Sequence, residues 1–141
     1  MKKFLILFIT LIILSPFVLA ANWFEIYEKQ YIDTESIEVY PKTNIVKFWV
    51  KTLRKDPNEK ILGKDYWYMI NKWALNCSDK KVSIQAIAVY DLKEKLLVSD
   101  SSSSYYTWDE IIPDSYADGF YRMYCLLPFD DNPLLQYSKR Y

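Results

Sequence analysis

Two cysteines, Cys77 and Cys125, and the carboxylates around the second of them are the residues with most chemistry to offer in this chain. The stretch Thr107 to Cys125, TWDEIIPDSYADGFYRMYC, holds Asp109-Glu110, Asp114 and Asp118, and Asp130-Asp131 follow shortly after. Paired carboxylates suit hydrolysis or calcium binding, and a thiol suits redox chemistry or zinc. The partners those reactions need are missing. The sequence contains no histidine, which removes Ser/His/Asp and Cys/His nucleophiles, His-ligated zinc and the commonest proton carrier near neutral pH. Its two glycines, Gly63 and Gly119, do not make a phosphate-cradling loop. Zinc held by two cysteines would need two further ligands, and the cysteines stand too far apart for a CxxC motif. Asp130-Asp131-Asn132 lacks the alternating ligands and following glycine of an EF-hand loop, so it reads as solvated acidic surface. Asp33 with Glu35 reads as turn chemistry. No catalytic residue, cofactor or metal site is assigned, and the chain reads as non-enzymatic.

Two features suit binding. Lys51, Arg54, Lys55, Lys60 and Lys64 gather basic charge in one connection and its flanks, a candidate patch for an acidic glycan or a host protein. Asp56 and Glu59 dilute it. The second feature is aromatic abundance, with 13 tyrosines and 5 tryptophans. Clusters such as Tyr66-Trp67-Tyr68 and Tyr105-Tyr106 place neighbours on opposite faces of any strand. Some of them stay exposed unless a second layer or another subunit covers them, so a homodimer through a sheet face or edge is an expectation.

The N-terminus sets the compartment in which these residues work. Met1-Lys2-Lys3 is a short basic region, Phe4 to Val18 is nearly unbroken apolar sequence, and Val18-Leu19-Ala20 has the small residues of a cleavage site. Residues 1–20 therefore read as a secretory signal peptide and 21–141 as the mature domain. An uncleaved anchor is the alternative, although about 17 residues interrupted by Ser15-Pro16 are short for a span. No cysteine follows the cut, so the expectation is an exported protein of the periplasm or cell surface without a lipoprotein anchor. No membrane span is expected after cleavage. Removing Lys2 and Lys3 from 18 basic residues against 18 acidic ones leaves a formal charge of −2, which argues against nucleic-acid binding. An oxidising compartment with two available thiols favours a disulfide. Closing a loop of about 48 residues, it would be worth roughly 4 kcal/mol.

The elements that must position these residues are mostly strands. Asn22–Tyr27 reads as a first strand with Trp23, Glu25 and Tyr27 on one face, and Tyr31-Ile32 as a second, followed by turn residues Asp33–Ser36. Ile45–Leu53 is the clearest: Val46, Phe48 and Val50 alternate with Lys47, Trp49 and Lys51. Arg54–Lys64 is a charged hairpin loop. Asp65–Cys77 reads as a long strand whose apolar face is interrupted by Asn71. In the next strand Val82, Ile84, Ala86, Ala88 and Tyr90 alternate with their neighbours, and Lys95–Ser99 is a further short one. The period then changes. Ala117, Phe120, Tyr121, Tyr124 and Cys125 fall on one helical stripe, which begins between Pro113 and Ser115 with a capping box of Ser115 and Asp118. Gly119 inside it implies close packing or tolerance, and Leu126-Leu127-Pro128 ends it. The core domain spans about 22–126, and 127–141 is left as an irregular tail docked through Leu134 and Leu135. The fold class is α+β, mostly β: one antiparallel sheet of about six strands with a C-terminal helix packed on it.

These elements carry a resemblance. The order of WFEI, YIDTESI, VKFWVK, a strand ending in Cys77, Tyr90-Asp91, and WDEIIPDS leading to a helix and Cys125 resembles the surface-adhesin protein E-like family. The resemblance covers about Trp23 to Cys125. It implies an antiparallel sheet with a C-terminal helix, one disulfide at positions matching Cys77 and Cys125, a bacterial envelope location, and adhesion to host extracellular proteins. The functional expectation is an envelope binding protein of the adhesin kind. The alternative is a periplasmic protein that binds an internal protein partner or a small molecule.

Overall fold

The structure, a computed structural model, describes residues 21–101, 107–136 and 138–141. The signal segment and the Tyr105-Tyr106 pair lie outside the described residues. Among the described residues nine strands form one sheet: β1 (Trp23–Tyr27), β2 (Gln30–Asp33), β3 (Glu38–Tyr40), β4 (Ile45–Leu53), β5 (Tyr68–Asn76), β6 (Lys81–Tyr90), β7 (Leu96–Asp100), β8 (Asp109–Glu110) and β9 (Lys139–Arg140). Six of them make the central path, in the order β1-β2-β4-β5-β6-β7, and every pairing along it is antiparallel. The single α-helix of the described residues, α1 (Tyr116–Cys125), crosses one face of that sheet.

The core forms where the two periodicities meet. Val46, Phe48 and Val50 point to the helix face of β4, each at most 1 % exposed, because successive strand side chains alternate. Phe48 lies 4.9 Å from the Phe120 ring and 5.1 Å from the Tyr124 ring. Removing a ring buried this way costs about 3–5 kcal/mol. Ala117, Phe120 and Tyr124 are buried, with Tyr121 and Cys125 half-buried beside them, as the helical stripe requires. Ser115 caps the helix by accepting the Asp118 N–H at 3.2 Å. The reciprocal half of the capping box is displaced by one residue. The Asp118 carboxylate takes the N–H of Asp114, while the Ser115 N–H bonds to the Ile112 carbonyl.

Three β-bulges alter what alternation alone predicts. In β1 the register jumps from Glu25↔Tyr31 to Tyr27↔Gln30, so Tyr27 leaves the face of Trp23 and Glu25 and meets Tyr116 and Phe120 on the helix side. In β6, Lys72↔Ala86 is followed by Trp73↔Ile84. The extra Gln85 places Val82, Ile84, Ile87 and Val89 on one face, and Ala86 and Ala88 on the other. The third lies between β6 and β7, where Val89↔Val98 is followed by Tyr90↔Leu96. A bulge adds one residue to one strand and so inverts the alternation beyond it. β5 also starts later than Asp65. Asp65–Trp67 belong to the preceding loop, where Trp67 accepts from the N–H of Arg54 and donates to the carbonyl of Tyr90.

The tail is more ordered than its composition suggests. Pro133–Leu135 form a 3-10 turn, and β9 pairs parallel with β3, pieces too short to leave a periodic signal. Leu135 is fully buried, whereas Leu134 is largely exposed. Asn132 explains the docking: its amide donates to the carbonyls of Met123 and Tyr124, two of the acceptors that a helix C-terminus leaves without partners.

Candidate functional site

Cys77 and Cys125 are joined in a disulfide, with Cα atoms 5.2 Å apart. The bond ties the residue after β5 to the last residue of α1, so neither cysteine is a free thiol. The carboxylates are used in structure as well. Asp118 is buried and receives Arg122 at 2.7 Å, with Lys80 3.9 Å away. The Asp114 N–H and then Arg122 hold its carboxyl below the usual carboxylate range. Asp33 caps the turn Thr34–Ser36 through Oδ1, Glu110 faces Lys81, and Asp130 pairs with Arg140. A cavity of about 540 Å³ lies between the β1–β2 hairpin and the second half of α1. Its walls are mostly apolar, with Phe24, Ile26, Ile37 and Met123, and Glu35 is the single carboxylate among them, so it brings no pair of carboxylates together.

The five basic candidates separate. Arg54 turns inward, donating to the carbonyls of Asp56, Pro57 and Tyr66 and to the Asp65 carboxylate. Beside it Tyr66 is buried, and that burial pushes its hydroxyl up to about 12. Lys55 donates to the Tyr116 hydroxyl at 2.9 Å. Lys60 and Lys64 remain exposed in the loop. Lys51 is elsewhere, on the face of the sheet opposite α1.

That face, opposite α1, carries an ordered array of side chains among the described residues. Alternation in β4 sends Lys47, Trp49 and Lys51 to it, and the register supplies their neighbours: one row runs Tyr31, Lys51, Ile70, Ala88. A second contains Trp23 opposite Asp33 and Trp49 opposite Lys72. The ammonium of Lys51 stands 4.7 Å from the centre of the Trp23 ring, 5.4 Å from Tyr31 and 5.8 Å from Tyr68. Lys47 lies over Tyr40 at 5.0 Å and Lys72 over Trp49 at 5.9 Å. Such cation–π contacts are each worth about 0.5–2 kcal/mol, more as water is excluded. Tyr68 stacks on Tyr90 at 4.8 Å. Burial lowers the Lys51 ammonium from its ordinary value, opposed by the charge of Glu94. Between these side chains is a depression of about 300 Å³, lined by Trp23, Asp33, Trp49, Ile70, Ala88 and Tyr90. In the sequence the alternation of Lys47, Trp49 and Lys51 is the visible trace of this face. The partners from β1, β5 and β6 depend on register and bulges.

The fold defines a class: a small open antiparallel sheet, one face covered by a disulfide-tethered C-terminal helix and the other carrying aromatic and basic side chains. The chain belongs to the surface-adhesin protein E family, which matches residues 23–126. A solved structure of Haemophilus influenzae protein E is 18% identical, with a TM-score of 0.53 over 79% of this chain and 89% of that one. A crystal structure of protein E from non-typeable Haemophilus influenzae is 15% identical, with a TM-score of 0.57 over 88% of this chain and 85% of that one. At such identities the likeness is one of fold. Comparison with curated proteins finds no match. No helix of the described residues is long and apolar enough to cross a membrane.

Proposed function

We propose that this chain is a non-enzymatic adhesin of the bacterial envelope that contacts host extracellular proteins or glycans through the open face of its sheet. Membership of a surface-adhesin family supports the class. The observation that carries the choice of face is Lys51, held among Trp23, Tyr31 and Tyr68 on a surface that α1 leaves uncovered. Aromatic residues dominate binding energy at interfaces because they bring large area with few rotatable bonds. A preformed array of them loses little entropy on binding.

The test is binding of the mature chain, 21–141, to immobilised extracellular-matrix preparations. Trp49→Ala and Lys51→Gln should each weaken binding by about tenfold or more, as for central interface residues. Lys60→Ala with Lys64→Ala should leave it within about twofold. Loss confined to the loop variant would move the contact to the basic loop, and no binding by the unaltered chain would remove the adhesin reading.

A further inference from the structure

We propose that the depression between Trp23, Trp49 and Tyr90 is a subsite for one carboxylated sugar ring, of the sialic-acid or uronic-acid kind. This rests on the adhesin reading and adds the chemistry of the ligand to it. The floor is small and apolar, Ile70 and Ala88, and indole rings stand at its sides. A surface of that form takes the C–H face of a pyranose. Its volume of about 300 Å³ sits at the lower end of the range for small-ligand sites, about 300–1,000 Å³, enough for a single ring.

The polar groups around the depression narrow the class. Lys51 and Lys72 stand at the rim rather than in the lining, against the Trp23 and Trp49 rings, so a cationic ligand seated on those indoles would lie beside two ammonium groups. Lys72 has its own counter-ion in Glu38 at 3.3 Å. Lys51 forms no ion pair among the described residues, and its ammonium is partly withdrawn from water. Glu94 acts on it by charge without forming a close ion pair, and an anionic group on the ligand gives Lys51 a partner at contact distance. Asp33 sets the second condition. Its Oδ1 receives the N–H groups of Asn22 and Glu35, which leaves Oδ2 to accept hydroxyl donors and to repel a ligand that brings only carboxylates. A ligand with an apolar face, hydroxyl donors and one carboxylate satisfies all three environments. An acidic peptide satisfies the lysine alone.

The experiment titrates the mature chain with sialyllactose, with a glucuronic-acid disaccharide and with lactose. It follows tryptophan fluorescence and the methyl resonances of Ile70 and Ala88. Saturable change with one or both acidic sugars, at least about tenfold tighter than with lactose, is expected, since a charge-assisted contact is worth that much. The two acidic arms tell the sialic from the uronic source. Lys51→Gln should remove the preference for acid while leaving the melting transition in place. Trp49→Ala should abolish binding of all three sugars. Equal binding of lactose, an unchanged preference in Lys51→Gln, or methyl shifts confined to the loop around Lys60 and Lys64 would overturn the proposal. Failure with every sugar, while the matrix preparations still bind and still depend on Trp49, would also overturn it yet leave the adhesin reading standing. Failure of both assays removes the adhesin reading as well.

Discussion

The hydroxyl of Tyr27 occupies the space that a Cβ on Gly119 would need, and the ring carbon that bears it stands 3.2 Å from that position. A glycine inside a ten-residue helix costs about 1 kcal/mol relative to alanine, and this approach accounts for it. The β1 bulge turns Tyr27 to the helix side, where it packs 5.3 Å from Tyr116 and 6.5 Å from Phe120. Gly119→Ala should therefore destabilise the native chain by about 1 kcal/mol, because Tyr27 must swing out of those contacts. In a Tyr27→Ala background the same substitution should stabilise, by about the helix-propensity difference. A double-mutant cycle in urea would then give a coupling of about 1–2 kcal/mol. Additive effects would show that Tyr27 does not constrain Gly119.

The same pair marks the limit of what the sequence discloses. The stripe Ala117, Phe120, Tyr121, Tyr124 and Cys125 is legible because helical periodicity is a local property, and so is the alternation of Val46, Phe48 and Val50. The face on which Tyr27 lies is not local: it depends on one unpaired residue in β1, and Ile87 depends likewise on the extra Gln85 in β6. A bulge leaves no compositional signal when the added residue is apolar or neutral. The open face inherits this difficulty. Lys51 and Trp49 can be paired from β4 alone, but Trp23, Ile70 and Ala88 join them only once four registers are fixed. Asn132 escapes for a different reason, since capping by a residue beyond the helix requires the chain to fold back.

The disulfide closes a loop of 48 residues and joins the central strand β5 to the end of α1. Reduction, or Cys77→Ser with Cys125→Ser, should lower the unfolding free energy by about 4 kcal/mol on the chain-entropy estimate. Urea unfolding with and without reductant measures this directly. Amides of the last turn of α1 should also exchange faster with solvent in the reduced chain. A midpoint unchanged by reductant would mean that the packing of Phe48, Phe120 and Tyr124 alone fixes the helix.

Asp118 makes stability depend on acid. Its folded carboxyl titrates below the ordinary range because the Asp114 N–H and Arg122 favour the charged form. The native state thus binds fewer protons than the unfolded chain wherever the unfolded carboxyl titrates, around pH 4. The resulting stabilisation is complete above that range and is lost as pH falls through the lower folded value. Thermal melts from about pH 7 down to about pH 2.5 should show Asp118→Asn less stable at neutral pH, with the two curves converging in acid. Curves that stay parallel would assign the acid sensitivity to other groups, Asp91 among them, whose carboxyl is also held low by the N–H groups of Lys95 and Lys93.

Arg54 and the loop lysines should behave oppositely although they are neighbours in sequence. The Arg54 side chain is 11% exposed and satisfies three backbone carbonyls of the β4–β5 connection, while its guanidinium stacks 5.6 Å from the buried Tyr66 ring. Arg54→Ala removes the donors to the Pro57 and Tyr66 carbonyls, while Asp56 keeps the N–H of Glu59, and it uncovers that ring, so a loss of about 2 kcal/mol is expected. Lys60→Ala and Lys64→Ala touch exposed positions and should stay within about 0.5 kcal/mol. Any effect of Arg54→Ala on adhesion must then be measured at a temperature where the variant remains folded, because a disordered connection would also disturb Tyr68 beneath Lys51. If the double lysine variant instead unfolds early while Arg54→Ala does not, the loop is held by its charges rather than by the arginine.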